Sequence, residues 1–169
     1  GEISDVSINE IEGKLATTAG SCAVMGTAST MACITEVLGM SLPGSAAIPA
    51  VHADRLRLAE ACGERAMEMA VSGAPLPEEI ITPKAIENAL RVLLAISGST
   101  NAVVHLAAIA GRRGIELSLD EINRISDETP VLVNLKPTGE HYMQDLFAAG
   151  GLTTVLHELK HQLHLDCST

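Results

Sequence analysis

Aromatic rings are almost missing from this chain. Its 169 residues include no Trp, one Tyr (Tyr142) and one Phe (Phe147), so a core must be assembled from Ala, Leu, Ile, Val and Met. Such side chains allow close helix packing but give each helix less burial than aromatics would, which suits a piece of a larger assembly. A positive excess is missing too. Lys and Arg number 11 against 21 Asp and Glu, a formal net charge of −10, and this argues against nucleic acid, whose phosphates need neutralising cations. A small anionic ligand stays open, because one local site can oppose the global sign. No apolar run approaches the length of a membrane span and no basic-then-apolar leader with a cleavage site is found, so no membrane is expected as a partner. The four cysteines, Cys22, Cys33, Cys62 and Cys167, form no CxxC pair and stand far apart. That is unlike a secreted disulfide framework or a self-contained zinc site, and a cytoplasmic location is expected. Cys33 and Cys62 fall inside apolar helical patterns and read as buried, inert thiols.

The composition, 47% hydrophobic and 19% charged, is that of a globular segment long enough for one domain with its own core. The pattern predicts a short acidic helix over Glu2–Gly13, a small polar loop over Ala16–Ser21, and an Ala- and Met-rich buried helix from about Cys22 to Leu38, stopped by Gly39. Ser41–Pro49 reads as loop. Arg55–Val71 has helical periodicity, Gly73–Pro77 reads as a linker, and Thr82-Pro83 opens a helix running to about Ile96. Gly98–Thr100 breaks that pattern before a further helix over Asn101–Arg112. Ser118 with Glu121 predicts a capping box and a helix to Ile125. Val131–Leu135 is the strand candidate, and helices over Tyr142–Ala148 and Leu152–Leu163 close the chain.

Cys22 stands where the buried helix is expected to begin, after a Gly-Ser pair. Backbone N–H groups at such a start favour negative charge and help hold a thiolate, which can be a nucleophile, a redox centre or a metal ligand. A small buried residue at a tight turn fits the same spacing. Nothing local separates these options.

The wider string does. Gly20-Ser21-Cys22-Ala23-Val24-Met25-Gly26-Thr27-Ala28-Ser29-Thr30-Met31 resembles the third cysteine motif of the iron–sulfur dehydratase family, which includes dihydroxy-acid, phosphogluconate and aldonate dehydratases. The resemblance continues through Leu38-Gly39-Met40-Ser41-Leu42-Pro43-Gly44-Ser45, Ser97-Gly98-Ser99-Thr100-Asn101-Ala102, Pro130–Gly139 and Ala149-Gly150-Gly151-Leu152. Leu163–Thr169 looks like the start of a further family segment. Where this chain has Ser97 the family usually has glycine. The resemblance implies an α/β fold, these residues being a helix-rich fragment of a domain with helices around a mostly parallel sheet, and a separate C-terminal β-barrel domain. Residues 1–169 would be the later part of the N-terminal, cluster-binding domain.

The resemblance also implies an enzyme, a hydro-lyase converting a 2,3-dihydroxy carboxylic acid to a 2-keto acid through loss of the C2 proton and the C3 hydroxyl. Cys22 would be one of three cysteines holding an iron–sulfur cluster, 2Fe–2S in preference to 4Fe–4S. The family's other two cysteines, its magnesium ligands and its serine base have no matching position in these residues, so the isolated segment is expected to be inactive. Thr27, Ser29, Thr30, Ser99, Thr100 and Asn101 are candidates for contact with substrate or with the groups around the cluster. The stretch Met25–Met31 is closer to the sugar-acid branch than to the branched-chain biosynthetic branch, which tends to carry an aromatic and an asparagine there. An aldonate is therefore the expected substrate, and the dihydroxy-methyl acid of amino-acid biosynthesis is the alternative. The parent is expected to form a homodimer or homotetramer.

Two readings from other classes compete. One is a non-catalytic scaffold. The other rests on His157-Glu158-Leu159-Lys160-His161, which matches the H-E-x-x-H pattern of zinc peptidases, with His164 on the same face of a continuous helix. Lys160 puts a cation between the proposed ligands, so the segment reads as an exposed helix face.

Overall fold

Thr82 shows how local chemistry starts a helix here. Its side chain accepts the Ala85 N–H at 3.2 Å, and Pro83, which has no N–H to satisfy, occupies the first turn. The helix that follows, Pro83–Ala95, is the axis of the molecule. The computed structural model describes residues 3–15 and 20–168. The start of the first helix at Glu2 and most of the loop placed over Ala16–Ser21 lie outside the described residues.

In chain order the helices are α1 (Asp5–Glu12), α2 (Thr27–Val37), α3 (Asp54–Ser72), α4 (Pro77–Ile80), α5 (Pro83–Ala95), α6 (Asn101–Arg112), α7 (Leu119–Glu128), α8 (Met143–Ala148) and α9 (Gly151–Leu159), followed by a 3-10 turn over Lys160–Gln162. None is long and apolar enough to cross a membrane. Helix α5 lies between two apolar clusters. Ile86, Ala89, Leu90 and Leu93 pack with Ile34 of α2, Leu38 just after it, Leu106 of α6 and Ile125 of α7. Val92, Ala95 and Ile96 pack with Cys33, Leu146 of α8 and Leu152, Val155 and Leu159 of α9. Burying one Leu or Ile side chain fully contributes about 1.5–3 kcal/mol, so the two faces of α5 account for much of the attraction that holds the bundle together.

Three expectations need correction. The helix-rich reading holds, but the parallel sheet of the α/β class is not seen: among the described residues there is no strand, only an isolated bridge between Leu135 and His141. Val131–Leu135 runs extended and is tied instead to the end of α5, the Leu132 N–H donating to the Ala95 carbonyl at 2.8 Å. A short apolar run gives the same sequence signal whether its backbone pairs with a strand or with a helix end. Second, the buried helix begins at Thr27 and not at Cys22, because residues 22–26 form an irregular turn with Gly26 as N-cap. Third, only half of the expected capping box forms. Ser118 accepts the Glu121 N–H at 3.2 Å, but the Glu121 carboxylate pairs with Arg124 at 2.9 Å.

Candidate functional site

Residues 22–25 are held at three points. The Ser29 hydroxyl donates to the Cys22 carbonyl at 3.3 Å, the Ala23 carbonyl accepts the Met143 N–H at 2.8 Å, and the Met25 N–H donates to the Lys136 carbonyl at 2.8 Å. The Met25 side chain is buried beneath them. Cys22 itself stays exposed. Its sulfur folds back over the turn, and a Cβ placed on Gly26 would lie 3.6 Å from it. The thiol therefore sits beside the N-terminus of α2, which no side chain caps and which favours negative charge.

Cys22 opens onto a cleft of about 880 Å³. One wall is the small-residue face of α2, with Ala28, Ser29, Ala32 and Thr35; the facing wall is the segment from Ser41 to Val51 with Arg55, Leu58 and Cys62 of α3. Among the lining residues described, Arg55 carries the only charge. Its guanidinium donates to the Ile48 carbonyl, while its Nε is buried with no partner. Tyr142 also lines the cleft, its hydroxyl accepting from Lys136 at 2.8 Å. Arg55, Lys136 and Tyr142 were not singled out as site residues by sequence reasoning. Lys136 alone carried an advance signal, because it lies in the Pro130–Gly139 motif, and here that motif supplies the carbonyl that fixes Met25.

The hydroxyl and amide candidates divide. Ser29 lines the cleft. Thr27, Ser99 and Asn101 meet one another on the other side of the α2 N-terminus: Thr27 Oγ1 lies 3.1 Å from Ser99 Oγ and accepts from Asn101 Nδ2 at 3.0 Å. Thr30 is fully buried and accepts the Ser99 N–H at 3.0 Å. Thr100 is exposed and caps α6 without a side-chain bond. The loop they share explains the family's glycine at the neighbouring position, since Ser97 adopts φ +49, a left-handed conformation that a Cβ disfavours. Gly98 has no latitude either: a Cβ there would meet Thr30 Cγ2 at 2.7 Å.

The other cysteines differ from Cys22. Cys33 is buried, and burial followed by the nearby Glu36 charge pushes its thiol up to about 12, so it is inert as expected. Cys62 is only half-buried and shares the Cys22 cleft, a correction to its reading as a buried core thiol. Cys167, also half-buried, receives a weak bond from Asn88 Nδ2 at 3.6 Å. Of the H-E-x-x-H residues, His157 lies on α9 and His161 on the 3-10 turn, which breaks the helical register. His164 Nε2 pairs with Glu87 at 2.9 Å.

As a cluster ligand Cys22 fits: it is an exposed soft donor on a fixed backbone, beside a helix N-terminus and at the edge of a cleft. Among the described residues no group of three His, Cys, Asp or Glu side chains lies close enough together to hold a metal ion.

Comparison with known proteins extends the resemblance to the whole chain. The family model described as dihydroxy-acid/6-phosphogluconate dehydratase N-terminal matches residues 1–169. Relatives named dihydroxy-acid dehydratase include those of Acetivibrio thermocellus, 48% identical over 171 residues, Caldicellulosiruptor bescii, 47% over 171 residues, and Methanococcoides burtonii, 46% over 169 residues. Each match covers 100% of this chain and 30–31% of the relative. The chain thus spans about a third of the length of the curated relatives it matches.

Proposed function

This chain belongs to the dihydroxy-acid/6-phosphogluconate dehydratase family, and from that premise we propose that it forms part of the active site of a hydro-lyase acting on a 2,3-dihydroxy carboxylic acid. The substrate loses its C2 proton and its C3 hydroxyl as water, and the enol that results tautomerises to a 2-keto acid. An iron–sulfur cluster held in part by Cys22 supplies a Lewis-acidic iron that favours departure of the hydroxyl. This chain's own residues do the positioning. Ser29, Met143 and Lys136 fix the backbone that carries the thiol, and the thiol lies beside the start of α2, which no side chain caps.

The observation that carries this reading is an exposed thiol on a backbone fixed at three points, opening onto a cleft. The relatives' names support the dihydroxy-acid dehydratase reading over the sugar-acid one. The aldonate reading keeps one structural support. Gly26, Thr27, Ala28 and Ser29 are all small, and Gly26 lies directly beside the Cys22 sulfur, where a bulkier residue would take space from a polyhydroxylated substrate.

The test uses full-length enzyme carrying this segment, purified without oxygen. Cys22→Ser should lose the visible cluster absorbance and most of the dehydration of a panel of dihydroxy-methyl acids and aldonates. An intact spectrum with full turnover would sink the assignment of Cys22. Preference for an aldonate would overturn only the choice of substrate. The chain alone should produce no 2-keto acid when supplied with iron, sulfide and magnesium.

A further inference from the structure

Glu36 is the only charged residue of α2, and it is buried at 6% exposure. Its carboxylate reaches the wall of the cleft that faces Cys22. Oε1 accepts the Gly44 N–H at 2.7 Å; Oε2 accepts the Ala46 N–H at 2.7 Å and the Ser45 hydroxyl at 3.4 Å. Short bonds accepted on both oxygens are the pattern of an ionised carboxylate, and no cation pairs with it among the described residues. A buried charge without such partners is costly. Donors from a single loop therefore both offset that cost and lose their freedom to move. Gly44, at φ +83, supplies the turn in which the 44 and 46 amides point at one carboxylate.

The proton order along this wall follows from donor and acceptor capacity. An ionised carboxylate only accepts, so Ser45 donates to Glu36. Ser45 and Ser41 are 2.9 Å apart, and with the Ser45 proton committed, Ser41 donates to Ser45. Both serines line the Cys22 cleft. The Ser41 oxygen is thereby left with lone pairs and no spare proton, the complement of a hydroxyl donor.

We propose that Glu36 is a positioning residue that orders the Ser41–Ala46 loop, and that Ser41 accepts a hydrogen bond from a hydroxyl of the bound hydroxy acid. This rests on the dehydratase reading for the identity of the ligand, though not for the loop geometry. In full-length enzyme, Ser41→Ala should raise the Kd for a 2,3-dihydroxy acid, measured by calorimetry, about five- to tenfold, the weight of one hydrogen bond. It should raise KM in parallel, leave kcat within about threefold, and leave the unfolding midpoint unchanged. An analogue lacking one hydroxyl should bind the variant and the unmodified enzyme equally. Glu36→Gln sets an amide donor against an N–H donor, so it should reproduce the Kd increase and also speed hydrogen exchange at the Gly44 and Ala46 amides. Equal Kd values for Ser41→Ala and the unmodified enzyme would overturn the proposal, as would unchanged exchange in Glu36→Gln. Absence of turnover by an unmodified enzyme that still binds the acid would sink the dehydratase reading, and the Kd comparison would still decide the role of Ser41.

Discussion

Helix α5 has thirteen residues and buries nine of them; helix α3 has nineteen and buries none. Both are amphipathic, and both were plain from the spacing of their apolar residues. The difference lies in what their apolar faces meet. Leu90 and Ile86 of α5 sit between α2, α6 and α7, whereas Leu56, Met67 and Val71 of α3 are 78%, 65% and 80% exposed. Helix α3 joins the rest through the grip of Arg55 on Ile48 and through Leu58 and Cys62 at the cleft. One helix builds the core and contributes nothing to the cleft; the other does the reverse. Periodicity forecasts a helix and an apolar face, while burial depends on which neighbours the loops deliver.

The sharpest way to break that comparison is to truncate a leucine in each helix. Leu90→Ala should cost about 2–5 kcal/mol in urea unfolding of the chain, whereas Leu56→Ala should stay within about 0.5 kcal/mol. Comparable losses would show that α3 carries core weight. Glycine substitutions repeat the contrast with opposite signs. Gly98→Ala brings a methyl within 2.7 Å of Thr30 Cγ2 and 3.1 Å of the Leu93 carbonyl and should cost about 1–3 kcal/mol. Gly63→Ala, in the interior of α3 with nothing within 4 Å, should stabilise by about 0.5–1 kcal/mol. Next to Gly98, Ser97→Gly should stabilise by up to about 1 kcal/mol, since it relieves a left-handed serine. A destabilised Ser97→Gly protein would mean that the serine side chain makes a compensating contact.

Thiol alkylation extends the contrast to reactivity. Near pH 8 Cys22 should react first, Cys62 on α3 next, and Cys33 only on unfolding, as its burial and raised pKa require. Mass spectrometry of the labelled chain gives the order, and early labelling of Cys33 would contradict the packing of α2 on α5.

The smallest effect concerns the tail that α5 holds. Burial raises the Glu87 pKa, but bonds from His164 and Arg91 outweigh it and leave the carboxylate below its ordinary range. The stabilisation from a lowered carboxylate is present above the unfolded pKa and lost as pH falls through the folded one. Residues 163–167 should therefore loosen from α5 below pH of about 4, seen as faster labelling of Cys167 at low pH relative to Glu87→Gln, which should show no such step.

The helix starts at Thr82 and Ser118 were legible because one side chain and one N–H suffice to make them. The cysteine motif was legible for the opposite reason, as an ordered string with no local explanation. The Val131–Leu135 segment was not, since its partner is the end of α5 and not a strand. Glu36 was missed although its signal was available. A single acidic residue in an apolar helix, followed eight to ten positions later by Gly44-Ser45-Ala46, marks a carboxylate in need of donors. The roles of Thr27, Thr30, Ser99 and Asn101 depend on two helix starts, about seventy residues apart in sequence, meeting in space, and nothing in either string predicts that meeting.

The turn carrying Cys22 is tied to Lys136 and Met143, and this has a consequence for biosynthesis. Residues 22–25 leave the ribosome more than a hundred residues before Lys136 and Met143 do. At roughly 5–20 residues per second the delay is on the order of ten seconds. Through that interval the nascent turn has only the Ser29 bond of its three, and its thiol is open to oxidation. The fixed geometry of this thiol is thus a late event in the life of the polypeptide, scheduled by the emergence of Lys136 and Met143 and not by the appearance of the cysteine.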